Sequence, residues 1–176
     1  TINGGNIAAG NYSFASGVGT QSSGLASHTE GISSIAAGTG AHAEGLATRA
    51  SGLGAHAEGG ACVASGAYSH AEGDPSTASG YASHAEGYRT TASSYASHAQ
   101  GLRTVASGTG THTEGFLTKA SGYAAHAEGN FSVASGDYSH VQGDSCTGSG
   151  YACHAGGQQC NVSETNCFSH GYAVTN

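Results

Sequence analysis

The chain has 176 residues, of which 31 are Gly and only 20 are Ile, Leu, Val or Phe, so a conventional core of large apolar side chains is excluded. Charged residues make up only 9% and the net charge is −7 with four basic residues, which argues against intrinsic disorder and against a nucleic-acid partner. No apolar run approaches the roughly 18 residues of a membrane-spanning helix, so no membrane insertion is expected.

Glycine recurs at every seventh position from Gly10 to Gly171, with Ser94 and Glu164 as exceptions. This period is not that of a coiled coil, because each glycine would cost a helix about 1 kcal/mol. A short strand, a turn at the glycine and a second short strand fit better, since glycine adopts the positive φ of a tight turn. Two halves give a 14-residue coil that rises about 4.8 Å. The sequence therefore predicts an all-β fold, a parallel β-roll (solenoid).

The seven-residue phase persists along the chain, which predicts a single β-roll domain over residues 1–176. An irregular first turn is expected over Thr1–Gly10. Regular coils are expected over about residues 6–157, and cysteine-rich coils with a cap over 144–176. A cap is expected because the open end of a solenoid otherwise invites end-to-end association.

The third and fifth residues after each glycine share one face of a strand, and the fourth and sixth share the other. The third residue is Ser, Thr, Ala or Cys, as at Ser27, Thr90 and Cys153, and the fifth is nearly always Ala, as at Ala43 and Ala106. These small residues are predicted to point inward between two closely spaced sheets.

In one half of each coil the outward fourth residue varies, as Ile35, Arg49, Val63 and Lys119 show. The sixth residue there is Ser in most coils. All four basic residues belong to this half, which is therefore predicted to face solvent.

The other half carries an invariant outward column of histidines, flanked by a second column of Glu or Gln. The histidines are His28, His42, His56, His70, His84, His98, His112, His126, His140 and His154. The second column is Glu30, Glu44, Glu58, Glu72, Glu86, Gln100, Glu114, Glu128 and Gln142. In the same register the histidine column meets Phe14 at one end and Phe168 at the other, which are predicted to plug the ends.

The residue type in a freely solvated column would be expected to vary from coil to coil. The uniform histidine column therefore predicts that these side chains lie in a constant, buried environment. Three rolls packed with these faces around a threefold axis, a homotrimer, are the simplest candidate, with imidazole groups donating hydrogen bonds to carboxylates. An alternative is that histidines around the axis hold Zn²⁺ or Ni²⁺. Stacked identical groups provide no distinct acid, base and nucleophile, so no catalytic site, enzyme activity or cofactor is expected.

Four cysteines, Cys146, Cys153, Cys160 and Cys167, are spaced by seven at inward third positions, as is Cys62. Cys146 and Cys160 are one coil apart, as are Cys153 and Cys167, and about 4.8 Å lies within the usual Cα separation of a disulfide. Cross-roll pairs such as Cys153–Cys160 are also open. The alternatives are a disulfide staple at the C-terminal end, a set of small buried thiols, and interchain or metal use. Cys62 is predicted to be a lone buried thiol.

Repeats such as Ala-Ser-Gly-Tyr-Ala-Ser-His-Ala-Glu-Gly at residues 78–87 resemble the head repeats of YadA-type trimeric autotransporter adhesins. The Ser-His-Ala-Glu-Gly form is also similar to repeats in phage tail-fibre-like proteins. The resemblance covers about residues 6–171 and implies a left-handed roll and trimerisation. His84 and Glu86 stand where the family has Val and Ile, so the implied subunit interface is polar here.

The predicted function is structural and adhesive: an extracellular fibre or head segment, on a bacterial surface, on a virion or in a secreted fibre. A possible host-surface or glycan receptor would fit a tyrosine rim, although these tyrosines could instead shield the roll edge or a subunit seam. The rim residues are Tyr81, Tyr95, Tyr123 and Tyr151. The alternatives are a filament subunit that stacks end to end with cysteine cross-links, and a metal-binding His/Glu scaffold.

Overall fold

The computed structural model describes residues 5–175, in which every regular element is a β-strand. None of these residues forms a helix long and apolar enough to cross a membrane. The chain has two compact units, Thr1–Arg89 and Thr90–Asn176. The first four residues, with part of the predicted irregular entry turn, lie outside the described residues. The single domain predicted over 1–176 stays a prediction.

The first unit consists of short strands in two parallel sheets, because each coil contributes one strand to each sheet. The sheet orders are β1-β3-β5-β7-β9-β11 and β2-β4-β6-β8-β10-β12. The strands are β1 (Ile7–Ala8), β2 (Phe14–Ala15), β3 (Gln21–Ser22), β4 (His28–Thr29), β5 (Ile35–Ala36), β6 (His42–Ala43), β7 (Arg49–Ala50), β8 (His56–Ala57), β9 (Val63–Ala64), β10 (His70–Gly73), β11 (Thr77–Ala78) and β12 (His84–Tyr88).

The second unit repeats this architecture. Its sheet orders are β13-β15-β17-β19-β21-β23 and β14-β16-β18-β20-β22-β24. The strands are β13 (Thr91–Ala92), β14 (His98–Leu102), β15 (Val105–Ala106), β16 (His112–Thr113), β17 (Lys119–Ala120), β18 (His126–Ala127), β19 (Val133–Ala134), β20 (His140–Val141), β21 (Thr147–Gly148), β22 (His154–Gln158), β23 (Asn161–Val162) and β24 (Phe168–Tyr172).

Neighbouring strands of a sheet pair in parallel, with each residue opposite its equivalent in the next coil, as in the pairing of His42 with His56. The backbone N–H of His42 donates to the carbonyl of Ala55 at 2.9 Å, and equivalent bonds recur from coil to coil. The prediction of an all-β parallel solenoid with about twelve coils is therefore confirmed. Its left-handedness stays a prediction.

The core between the sheets is built from small side chains, as predicted. Ala43 and Ala106 are 0% exposed, and Ser27 and Thr90 are each 1% exposed. Repetition of a narrow, uniform layer thus replaces a bulky core, since every coil buries the same two inward positions in each half.

Two residues that depart from this layer compensate for each other locally. Val141 is among the largest fully buried side chains and occupies an inward position that is usually Ala. Gly148 stands at the usual alanine position of the other sheet, and a Cβ there would lie 2.6 Å from Val141 Cγ2 and 3.0 Å from Cys153 Sγ. The space left by the absence of a side chain at Gly148 therefore accommodates the larger side chain of Val141.

The turn glycines are required by close approach as well as by conformation. Gly31 has a φ of +99°, and a Cβ at this residue would lie 2.1 Å from the carbonyl oxygen of Gly45 in the next coil. Successive coils are held in contact at this turn, which leaves no room for a side chain.

The outward column of the odd-numbered strands is varied and partly solvated. Arg49 and Lys119 are exposed, while Ile35 and Val63 are half-buried. The face of the even-numbered strands carries the histidines and is the candidate site.

Candidate functional site

The alternation of side chains along the even-numbered strands places histidine and glutamate together on one outward face, while Ala between them points inward. In the first unit the His/Glu face consists of His28, His42, His56, His70 and His84 with Glu30, Glu44, Glu58, Glu72 and Glu86. In the second unit it consists of His98, His112, His126, His140 and His154 with Gln100, Glu114, Glu128 and Gln142. The structure thus brings the predicted ladder residues together within each unit.

Parallel in-register pairing stacks the imidazole rings. In the first unit, the His42 and His56 ring centroids lie 4.8 Å apart at an interplanar angle of 2°. In the second unit, His126 and His140 stack at 4.8 Å and 2°. The stacking follows directly from the strand spacing, because identical residues in register repeat at that distance.

The two phenylalanines lie at the ends of the histidine columns, where the sequence placed them. Phe14 contacts His28 edge-on, with centroids 5.0 Å apart at 71°. Phe168 stacks on His154 at 4.7 Å and 23°. Both rings are largely exposed in the isolated chain, at 55% and 69%, so their role as plugs stays a prediction.

The histidine Nε2 atoms lie beside carboxylates but at long distances. His56 Nε2 is 3.5 Å from Glu44 Oε1 and 3.8 Å from Glu58 Oε2. These distances are at or beyond the limit of a hydrogen bond, although they allow an ion pair when the imidazole is protonated. Among residues 5–175, no hydrogen-bond partner reaches the buried Nε2 atoms of His28, His42, His56, His70, His112, His126 and His140.

Burial is the first reason why the face disfavours positive charge on its histidines. Burial, followed by repulsion from neighbouring histidines, lowers the pKa of His42, His70 and His126 below 6.5. The pKa of His154 is lowered in the same way, by burial and then by His140 and His170. These four rings are therefore neutral at neutral pH.

The carboxyl column of the first unit is internally hydrogen-bonded. Side-chain hydrogen bonding with Glu58, and secondarily with Glu30, raises the pKa of Glu44 to about 7. Hydrogen bonding with Glu58 and then burial raise the pKa of Glu72 to about 7. The same bonds with Glu72 and Glu44 lower the pKa of Glu58. These opposite pKa shifts favour Glu58 as the acceptor of hydrogens held by Glu44 and Glu72.

The corresponding column of the second unit mixes amides and carboxylates. Gln100 Nε2 donates to Glu114 Oε2 at 2.9 Å. Further along, Gly156 replaces the acidic residue, and a Cβ there would lie 2.5 Å from Nδ1 of His170. An open groove of about 510 Å³ lies on this face, lined by Glu114, Glu128, Gly129, Gln142, Gly143, Gly157 and His170.

The geometry bears on the alternative of metal binding. His56, Glu58 and His70 offer ligand atoms within 4.8 Å of one another. The two rings are stacked at 4.8 Å and 5°, however, so their nitrogen lone pairs run nearly parallel instead of converging. A zinc ion bound at about 2.0–2.1 Å requires converging nitrogens. Within one chain these side chains do not form a closed donor set.

The C-terminal cysteines occupy the inward positions that were predicted for them. Cys146, Cys153 and Cys160 are buried, and Cys167 is half-buried. The thiols of Cys146 and Cys160 are close enough to hydrogen-bond, and burial raises the pKa of the Cys146 and Cys153 thiols. Buried thiols of this kind react slowly. A disulfide between Cys146 and Cys160 or between Cys153 and Cys167 stays a prediction. Cys62 is a buried thiol that donates to the Gly73 carbonyl at 3.3 Å.

One apolar column on a roll edge was missed from the sequence, and the predicted tyrosine rim has one further member that was also missed. Val18, Ile32 and Leu46 follow turn glycines in successive coils and form an apolar column that is 56%, 51% and 58% exposed. On the other edge, Tyr138 lies between Tyr123 and Tyr151, with ring centroids 5.4 Å apart in both contacts. The signal for the apolar column was the type of the residue directly after each glycine, compared from one coil to the next. The signal for Tyr138 was the type of the second residue after a glycine.

The sequence was compared with known families and proteins. The family model described as YadA head domain repeat matches residues 30–47, 71–93 and 120–139, about a third of the chain, in two copies. No curated protein matches the chain. The matched stretches include strands of the His/Glu face in both units, such as β6, β12 and β18.

Proposed function

We propose that this chain, which carries YadA head repeats, is a structural and adhesive segment of an extracellular bacterial surface fibre that assembles as a homotrimer. The repeat match supports the cell-surface adhesin form of the proposal. A virion-borne tail fibre would share the same architecture and rests only on the Ser-His-Ala-Glu-Gly repeats.

The observation that carries the trimer is the His/Glu face. Its histidines recur without exception and most neighbouring rings stack, as His56 and His70 do, and these two side chains are 35% and 34% exposed in the single chain. Their Nε2 atoms lack hydrogen bonds within the described residues. Packing three such faces together would bury the columns and shorten the imidazole–carboxylate contacts, which offsets the cost of burying both groups.

Adhesion would use the roll edges, which such a trimer leaves nearer to solvent than its axis. Tyr123, Tyr138 and Tyr151 are each about half exposed and combine flat apolar rings with hydroxyl groups. Rings of this kind suit a host-surface glycan, because they stack on sugar faces and hydrogen-bond at their rims.

The test is the solution mass measured by light scattering, with and without reductant. A trimer should have three times the 17.1 kDa mass of one chain. The double variant His56→Glu, His70→Glu, which adds carboxylates beside Glu58, should reduce the mass to that of one chain. The matched control, Val63→Glu, Thr77→Glu, changes the opposite face of the same unit and should keep the trimer.

A single-chain mass for the unmodified protein would overturn the trimer. Very large species that shrink in reductant would support the filament instead. Stoichiometric metal in the purified protein would support the metal scaffold.

A further inference from the structure

The first unit carries five successive carboxyls in one column, Glu30, Glu44, Glu58, Glu72 and Glu86, with no amide between them. Strand pairing fixes their spacing, as the in-register pair Glu72 and Glu86 shows. Ionised carboxylates at one strand spacing repel one another, and neither can donate a hydrogen bond. A hydrogen shared between neighbouring carboxyls would relieve this repulsion.

The second unit shows how such a donor works. There Gln100 Nε2 donates to Glu114 Oε2 at 2.9 Å, so an amide supplies the hydrogen that a carboxylate lacks. The first unit has no Gln in its column. Within that column a donor can only be a protonated carboxyl, and the in-register pairing of β6, β8 and β10 places Glu58 between Glu44 and Glu72.

We propose that Glu44, Glu58 and Glu72 share protons along the strand ladder and make the stability of the first unit's His/Glu face fall as the pH rises through neutrality. Glu44 and Glu72 act as carboxylic-acid donors, and Glu58 is the carboxylate that accepts from both. The device lies within one chain, so it does not depend on the trimer proposed above.

Six titratable groups face this ladder. They are Glu30 and Glu86 in the carboxyl column, and His42, His56, His70 and His84 in the adjacent histidine column. Hydrogen bonding raises the pKa of Glu44 and Glu72 from 4.5 to about 7. The folded chain therefore binds more protons than the unfolded chain within this window, and its free energy of unfolding falls as the pH rises.

The other perturbed groups oppose this trend only at lower pH. The pKa values of His42 and His70 are lowered from 6.5, so these rings add stability as the pH rises towards 6.5. The lowered pKa of Glu58 adds stability as the pH rises towards 4.5. Above pH 6.5 the loss caused by Glu44 and Glu72 is no longer opposed by these groups.

The direct test is a pH titration of the full chain labelled with ¹³C at the glutamate carboxyl carbons and followed by NMR in the presence of EDTA. We expect two carboxyl resonances to titrate with midpoints near pH 7. One should be absent from the spectrum of the Glu44→Gln variant and the other from that of the Glu72→Gln variant. Titration of every glutamate near its ordinary value of about 4.3 would overturn the proposal.

A second test measures thermal unfolding of the double variant Glu44→Gln, Glu72→Gln. Each glutamine amide should donate the hydrogen bond of the carboxylic acid that it replaces, and the amide does not lose its hydrogen when the pH rises. We expect Tm to rise by about 2–4 °C at about pH 8.5 and to change little at about pH 5. The control is Glu164→Gln, Asp74→Asn, which removes the same charge at exposed positions outside the face. Equal gains in both variants, or at both pH values, would contradict the shared-proton ladder.

Light scattering at the same two pH values separates this inference from the proposed function. A single-chain mass with glutamate midpoints near pH 7 would remove the trimer and keep the ladder. A trimeric mass in a protein whose glutamates all titrate near their ordinary pKa would keep the trimer and remove the ladder.

Discussion

The two units of the chain use the same histidine column with different partners. Beside its histidines, the first unit has five glutamates in succession. In the second unit the corresponding residues are Gln100, Glu114, Glu128 and Gln142, followed by Gly156 and His170. The backbone register is the same, so the acidic column can change its charge without any change in the fold.

This difference separates two physical roles. The turn glycines and small inward residues determine the coil, and they are shared by both units. The carboxyl column determines how charge and protons are distributed on the face. In the first unit hydrogen bonds between carboxyls require bound protons, whereas in the second unit the Gln100 amide supplies a donor at any pH.

The largest effect is expected where both units should respond alike. Gly45→Ala and Gly129→Ala each place a Cβ 2.2 Å from a carbonyl oxygen of the next coil, at φ values of +103° and +95°. Each should lower the free energy of unfolding by about 3 kcal/mol or more, from steric overlap and backbone strain. Urea denaturation checks this. A large loss in only one unit would show that the units do not share one scaffold.

A smaller effect should be confined to the second unit. Gly148→Ala places a methyl group 2.6 Å from Val141 Cγ2 and should cost about 1–3 kcal/mol by overpacking. The double variant Val141→Ala, Gly148→Ala restores the usual alanine pair and should recover part of that loss, as measured by urea denaturation. Strictly additive losses would mean that the two side chains do not compete for the same space.

The smallest effect is expected from a substitution that makes the carboxyl column of the second unit resemble that of the first. Gln100→Glu replaces the amide donor beside Glu114 with another carboxyl. It should cost about 1 kcal/mol at about pH 8.5, where no donor remains, and much less at about pH 5, where a proton can replace it. Thermal unfolding at the two pH values measures the difference, and Gln142→Glu serves as a companion in the same column. A loss independent of pH would argue against proton sharing in either unit.

Much of the fold could be predicted because the repeat constrains it strongly. Glycine at a spacing of seven, with Ala43 or Ala57 at the inward position, allows few arrangements other than a narrow roll. The same register also predicted that Phe14 and Phe168 would lie at the ends of the histidine column.

The details of the site were less predictable, because a column position does not specify which atoms meet. The sequence suggested imidazole–carboxylate pairing, but hydrogen bonding with Glu58 is the largest cause of the raised pKa values of Glu44 and Glu72. The position of the His170 ring leaves no room for a side chain at Gly156, where a Cβ would lie 2.5 Å from Nδ1. Such contacts depend on side-chain conformation and protonation, which the repeat period does not encode.

The pairing of Val141 with Gly148 has a further consequence for folding. A chain of nearly identical coils can join its strands one coil out of step, since most columns would match as well as before. Val141 and Gly148 lie seven residues apart within one coil, so a slip of one whole coil between neighbours would move them together and leave their packing intact. Such local compensation sets no alignment between coils, and repeats could therefore be duplicated or lost in evolution as whole coils while every column stays in line.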